Sequence, residues 1–325
     1  MPRHLRGTGD LLMGERFLVT GADGCIGAWV VRLLLDGGDE VRVFDQGANN
    51  ARHELVAGGR PLDFERVTGD ITDGEAVAAA MAGVDRVIHL AALQIPFCRA
   101  EPSLGAAVNV VGTVNVFEAA LGHGVAPVVY ASSIAVYGGP DDYDSDVLAA
   151  DAPRMPRTLY GAYKVANEQT AGVYAAEHGL RSVGLRPHTV FGAGRDQGVT
   201  SQPTVAMAHA VRGDPYAVDY GGVLDFQYAP DVARLFIAAA RSEPDGAPVL
   251  NIEGHVVSVA EFVARTVAVT GFDGIQVGTD ALPLSHGASP AGLAELLGDV
   301  APTPLDDAIS ETVAILAAAE PALVP

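Results

Sequence analysis

Lysine is nearly missing from this sequence. Lysine and arginine together number 20, and all but Lys164 are arginine. A chain that meets its need for positive charge with guanidinium everywhere else keeps one ammonium, a compact charge whose pKa shifts readily on burial. That marks Lys164 as a position where guanidinium does not serve. Cysteine is scarce as well. Cys25 and Cys98 are the only two, too few for a disulfide framework or a thiolate zinc site, and no metal centre is expected. No apolar run approaches the roughly 18 residues of a membrane span. Near the start, Arg3, His4 and Arg6 accompany only a short apolar stretch at 11–13, which is not the pattern of a secretory signal. The expectation is a cytoplasmic protein with a loose tail over residues 1–13 and no membrane partner. Positive charge is short overall, since 40 acidic residues leave a net charge of −20. Such a surface repels nucleic acid, and no basic patch interrupts it. The acidity reads as solubility, or as adaptation to salt.

Apolar side chains are what the chain has in plenty. They make up 49% of it, enough for a sizeable core and against global disorder. Short apolar runs at 17–20, 40–45, 65–68, 86–90, 128–132 and 182–185 alternate with helical stretches near 25–36, 50–58, 74–82, 101–122 and 158–178. Successive β-α units of this kind predict an α/β fold, a doubly wound parallel Rossmann sheet with helices on both faces. Past residue 188 the pattern loosens into glycine and proline. That predicts a smaller substrate-binding region over 189–325 after a nucleotide-binding domain over 14–188, with a run near 250 returning to the main sheet. The stretch 101–122 is apolar on several faces, through Val110, Val111, Val114 and Phe117 among others. The surplus predicts a homodimer paired through this helix and the one over 158–178.

Two motifs carry chemistry. The first apolar run leads into Gly21-Ala-Asp-Gly24-Cys-Ile-Gly27, and a helix follows. Glycines at this spacing allow a tight turn, close approach of the backbone to a pyrophosphate, and close helix–strand packing. The free N–H groups of the helix N-terminus then face the phosphates. The expected cofactor contacts here are Gly21, Gly24, Cys25, Ile26 and Gly27, with Cys25 read as a small packing residue rather than a nucleophile. Asp45 closes the second run, where a carboxylate can bind the ribose 2′-hydroxyl and repel a 2′-phosphate, so NAD is favoured over NADP. In the second motif Tyr160 and Lys164, four apart, share one face of a helix. A tyrosine titrates near 10, and making it a base near pH 7 takes roughly 4 kcal/mol of phenolate stabilisation. A desolvated ammonium and the positive nicotinamide ring could supply that, and a serine at the end of the neighbouring strand could hydrogen-bond the reacting oxygen.

Further segments belong with these: Gly69-Asp70-Ile71, His89-Leu-Ala-Ala92, Asn109 in Val-Asn-Val-Val-Gly-Thr, Ser-Ser-x-x-Val-Tyr-Gly at 132–138, and Leu185-Arg-Pro-His-Thr-Val-Phe-Gly192. With them the chain, from Phe17 to at least Val232, resembles the extended short-chain dehydrogenase/reductases, the NAD-dependent epimerase/dehydratase family. The resemblance implies Ser133, Tyr160 and Lys164 as a catalytic triad. It implies Asp70 and Ile71 beside the adenine, and Leu90, Ala91 and Ala92 on the nicotinamide side. Asn109 would hold helix geometry and a contact near the cofactor, while Pro187 and His188 would touch the nicotinamide. Gln94, Gln197 and Gln227, with Ser133, His188 and Arg195, are candidates to bind substrate. His188 stays open between wall and donor, and Tyr137 is a second candidate for the pocket lining.

The chain also departs from its relatives. Dehydratases resembling it carry an Asp-Glu pair where it has Ile134 and Ala135. Nucleotide-sugar epimerases place Asn where it has Thr189 and Arg where it has Leu224, near the substrate diphosphate. The expected activity is therefore hydride transfer between NAD and a secondary alcohol or ketone of a sugar-like or polyhydroxylated small molecule. The alternatives are a nucleotide-sugar 4-epimerase with tightly bound NAD, and a non-catalytic NAD-sensing regulator, which an intact triad argues against.

Overall fold

The computed structural model describes residues 14–298 and 300–319; the tail expected over 1–13 lies outside them. Seven strands make the main sheet: β1 (Arg16–Thr20), β2 (Glu40–Asp45), β3 (Glu65–Thr68), β4 (Arg86–His89), β5 (Val128–Ala131), β6 (Ser182–Arg186) and β7 (Val249–Asn251). Their spatial order is β7-β6-β5-β4-β1-β2-β3, and every pairing is parallel. Two half-sheets grow outward from β1 and β4, which makes the sheet doubly wound and opens a crevice at the carboxyl ends of those two strands.

Both faces are covered, so the strands are continuous apolar runs whose alternate residues enter different cores. Phe17, Val19, Ile88 and Val129 pack with Trp29 of α1 (Cys25–Asp36) and Phe236 of a late helix, Ala229–Arg241. Leu18, Val87 and Val128 pack on the other face with Met81 of α3 (Gly74–Met81) and with Phe117. Between α1 and α3 lies the short α2 (Ala51–Val56). Phe117 belongs to α4, a continuous helix over Pro102–His123 whose turn Ala107–Val111 is π-helical. By length and its mean hydropathy of 1.5, α4 would also pass as a membrane span. Its packing against α3 and against α5 (Leu159–His178) makes it a core helix of this domain.

Beyond β6, the strands Thr189–Phe191, Val223–Tyr228 and His255–Ser258 form a second sheet with its own core. Phe226 stacks on Phe262 with ring centroids 4.3 Å apart, and Phe191 meets Phe262 edge-on at 5.0 Å. The sequence pattern did not resolve this sheet, because two of its strands have only three and four residues and the six of Val223–Tyr228 are nearly all buried, so none displays a period of two.

Candidate active site

The chain leaves β1 through Gly21, at φ +67°. A Cβ there would lie 2.5 Å from the Ala91 nitrogen, and one on Gly27 would lie 2.5 Å from the Gly21 carbonyl oxygen. Glycine at both places lets α1 begin against the ends of β1 and β4. Gly24 caps α1 without a side chain, so the first-turn N–H groups stay open to an anion. Asp45 ends β2 and accepts the Asp23 and Gln46 N–H groups at 3.0 and 2.8 Å. Asp23, which also lines the crevice, is tied up by protein partners. Burial works to raise its carboxyl pKa, but His53 and Arg66, bonded to it at 2.9–3.0 Å, outweigh burial and hold it low. The open helix end, the close backbone approach and the carboxylate of Asp45 fit a dinucleotide such as NAD.

A cleft of about 490 Å³ runs from this turn along the strand ends. Gly21, Gly24, Cys25, Ile26, Gly27, Asp45 and Ile71 line one part; Ser133, Tyr160 and Lys164 line another. Leu90 to Ala92, Pro187, His188, Gln94, Arg195 and Gln197 also reach it. Burial lifts the Cys25 thiol to about 11, so it stays protonated at neutral pH.

Three expected contacts stand elsewhere. Asp70 is exposed at the rim, where it accepts from Thr72 and from Gln46 Nε2 at 3.2 Å. Asn109 is fully buried in the π-helical turn of α4. Its Nδ2 donates to the Leu93 carbonyl at 3.0 Å and its Oδ1 accepts the Leu93 N–H at 2.8 Å. It therefore acts on the cleft by holding the segment after β4. Gln227 is a correction. It is 1% exposed, accepts the His188 N–H at 2.8 Å, and donates to Asp225 and to the Ile252 carbonyl. Its amide is satisfied on both ends behind the wall and lies outside the cleft lining.

The two sequence positions read as diphosphate anchors are also turned away. The Thr189 hydroxyl meets His188 Nδ1 at 3.0 Å, and Leu224 packs in the second core. Tyr137 is buried against Arg186 and Asn251 and does not line the cleft.

The electrostatics differ from the expectation in one respect. Lys164, 3% exposed, donates from Nζ to the Ala131 carbonyl at 2.7 Å and lies 5.6 Å from the Tyr160 ring centroid. Burial pulls its pKa down to about 8. Burial also raises the Tyr160 phenol, and the opposing pull of the Ser133 hydroxyl and the Arg195 charge does not prevail. The protein's own groups thus leave the phenol protonated near pH 7, because burial outweighs the groups that favour the phenolate. His188 is neutral, its pKa lowered by burial to about 4. Its Nε2–H donates to the Ser285 carbonyl at 2.8 Å, which leaves Nδ1 to accept from Thr189.

Sequence reasoning passed over Glu168 and Arg186. Each side chain is 1% exposed, and they meet through two contacts of 2.7 and 2.8 Å. Ser132 Oγ and Arg154 Nε complete the carboxylate's partners at 2.5 and 2.6 Å. The cluster ties α5 to β5 and β6 directly behind the cleft. A signal was present, since Glu168 follows Lys164 by four residues and so shares its helix face.

The comparisons with known proteins agree with this geometry. Residues 17–252 match the model of the NAD dependent epimerase/dehydratase family. A UDP-glucose 4-epimerase of Streptomyces lividans is 31% identical over 278 residues, 80% of this chain and 82% of that protein. The 3 beta-hydroxysteroid dehydrogenase type 7 of Homo sapiens is 34% identical over 238 residues, 69% of this chain and 63% of that one. Among solved structures, MoeE5 in complex with UDP-glucose and NAD matches with a TM-score of 0.77 at 29% identity, over 92% of this chain and 98% of its own. With the doubly wound sheet, the glycine turn and the serine, tyrosine and lysine of one cleft, the chain belongs to the NAD-dependent epimerase/dehydratase family, as an NAD-dependent enzyme of the extended short-chain dehydrogenase/reductase type.

Proposed function

We propose that this enzyme moves a hydride between NAD and one secondary alcohol or ketone of a compact, sugar-like molecule. The observation that carries the reading is the make-up of the cleft beside Tyr160. Its walls there include Leu93, Ile95, Pro96, Val199 and Leu284, and Arg195 is the one guanidinium without a carboxylate partner, since Arg52 pairs with Asp196. A nucleotide diphosphate needs paired cations and donors, and a single guanidinium supplies less than that. Ile134 and Ala135 line the same cleft where an acid and a base would be needed to eliminate water.

In this reading Tyr160 takes the proton of the substrate hydroxyl and Ser133 hydrogen-bonds the same oxygen. Lys164, charged below about pH 8, stabilises the phenolate. NAD, when bound, supplies the hydride acceptor and a positive ring beside the phenol. Asp45 favours NAD over NADP, and Asn109 keeps the Leu93 segment in place. NADH formation across sugars, sugar acids and nucleotide sugars tests the reading, with turnover expected among the first two.

The names of the similar proteins support a second reading, a UDP-glucose 4-epimerase that oxidises and re-reduces one carbon without net NADH. Calorimetric titration with UDP separates the two. The compact-substrate reading expects a dissociation constant no better than about 1 mM. Low-micromolar binding of UDP would overturn it in favour of the epimerase.

A further inference from the structure

One guanidinium in the cleft has no carboxylate counterpart among the described residues. Arg195 sits on the segment that follows the strand Thr189–Phe191. Its Nη2 donates to Thr200 Oγ1 at 3.1 Å, while its Nε is buried without a partner. Among the described residues no carboxylate pairs with it, and the adjacent Asp196 is occupied by Arg52. Gln94 and Arg195 converge at Gly198, where a Cβ would lie 2.2 Å from Gln94 Oε1 and 3.3 Å from Arg195 Nη2. Gly198 has φ +95°, a conformation that suits glycine and leaves this space clear. Tyr220, whose hydroxyl is also buried without a partner, feels the same positive charge. So does the phenol of Tyr160. The Nε is closed off from the cleft, so a bound group would meet the outer edge of the guanidinium, where Nη1 has no hydrogen-bond partner among the described residues.

We propose that Arg195 receives a carboxylate of the substrate, with Gln94 beside it, so that the compound oxidised is a hydroxy acid of the sugar-acid class. This rests on the hydride-transfer reading above. A carboxylate matches the edge of a guanidinium through two parallel hydrogen bonds, and its single charge balances that of Arg195. A neutral polyol would leave a partly buried cation uncompensated, which is costly. A phosphate monoester shares the anionic chemistry but adds further charge that nothing else in this part of the cleft balances. The rival claimant is the cofactor diphosphate, because Arg195 also acts on Cys25 in the glycine turn.

The test uses NAD-saturated enzyme and matched probes: gluconate against sorbitol, galacturonate against galactose, and glucose 6-phosphate. In the wild type the acids should exceed their neutral partners at least about 100-fold in kcat/KM. In Arg195→Gln that ratio should fall to within a few-fold, mainly through KM, with the NAD dissociation constant within about threefold of wild type. Arg195→Lys should recover part of the preference, since it restores charge without the planar fork. Equal turnover of acids and neutral partners overturns the proposal, and so does a clear preference for the phosphate. A tenfold loss of NAD affinity in Arg195→Gln with the acid preference intact assigns the guanidinium to the cofactor instead. If no probe yields NADH, the hydride-transfer reading fails. Calorimetric titration of the NAD-loaded enzyme with gluconate and sorbitol then still decides the role of Arg195. Acid binding at least tenfold tighter, and lost in Arg195→Gln, supports it; equal binding overturns it.

Discussion

Two other phenols, Tyr137 and Tyr163, are rivals to Tyr160 as the base, and neither can stand in for it. Tyr137 is tied to Arg186 and Asn251, and Tyr163 donates to the Pro102 carbonyl at 2.9 Å. Tyr160→Phe should therefore abolish turnover while NAD affinity, read by equilibrium titration, stays within a few-fold. More than about a tenth of the wild-type rate remaining would move the base elsewhere. Lys164→Arg should fail as well, because the buried space beside the Ala131 carbonyl holds an ammonium and not a planar fork. Behind both stands Glu168. Glu168→Gln leaves the Arg186 guanidinium buried with no counter-charge, a loss of about 3–5 kcal/mol readable by urea unfolding. Burial sets the low pKa of Lys164, and Glu168 partly opposes it. The variant should therefore move the Lys164 limb of the pH–rate profile to lower pH; a limb that stays in place would separate Glu168 from the catalytic pair.

At the scale of single elements, the strand Val223–Tyr228 carries a pH-dependent load. Asp225 is 3% exposed; one carboxylate oxygen accepts from Gln227 and the other has no partner. Burial raises its pKa from 3.8 to about 7, against the opposing Gln227 hydrogen bond. A carboxyl whose folded pKa is raised favours the folded state while protonated. That contribution is complete below the unfolded value and is lost as pH climbs toward 7. Asp225→Asn should thus leave stability unchanged near pH 4 and raise it at pH 8, by no more than about 4 kcal/mol. Denaturation curves at the two pH values would contradict this if the gain were larger in acid.

The same strand marks the limit of what the sequence discloses. The main sheet was legible because parallel strands buried on both faces are unbroken apolar runs. The Tyr160–Lys164 pair was legible because helical spacing puts the two on one face. Gln227 was misjudged, since a polar residue in a loosely patterned stretch reads as available when here it is locked behind His188. Glu168 and Arg186 went unnoticed for the same reason: a charge on a helix looks solvated until its partner, on another element, is brought against it.

For the molecule as a whole, α4 and α5 leave apolar side chains on the surface. Val111 is 49% exposed and Val173 50% exposed, with Leu104 and Leu159 also uncovered. Exposed apolar side chains on two helices packed against each other make a candidate subunit contact. The expected assembly is a two-fold dimer in which each helix pair meets its own copy. Light scattering at micromolar concentration should give twice the chain mass. Val111→Glu combined with Val173→Glu should halve that mass and keep the circular dichroism spectrum. A wild-type monomer would remove the dimer.

The solitary lysine has a consequence for how the protein can be taken apart. A lysine-specific endoprotease finds one peptide bond to cut in the entire chain, between Lys164 and Val165, inside α5. That bond is helical and its side chain is buried, so cleavage must wait for α5 to unwind locally. The appearance of two fragments on a gel is then a clock for the opening of this one helix, and ligands that fill the cleft should slow it.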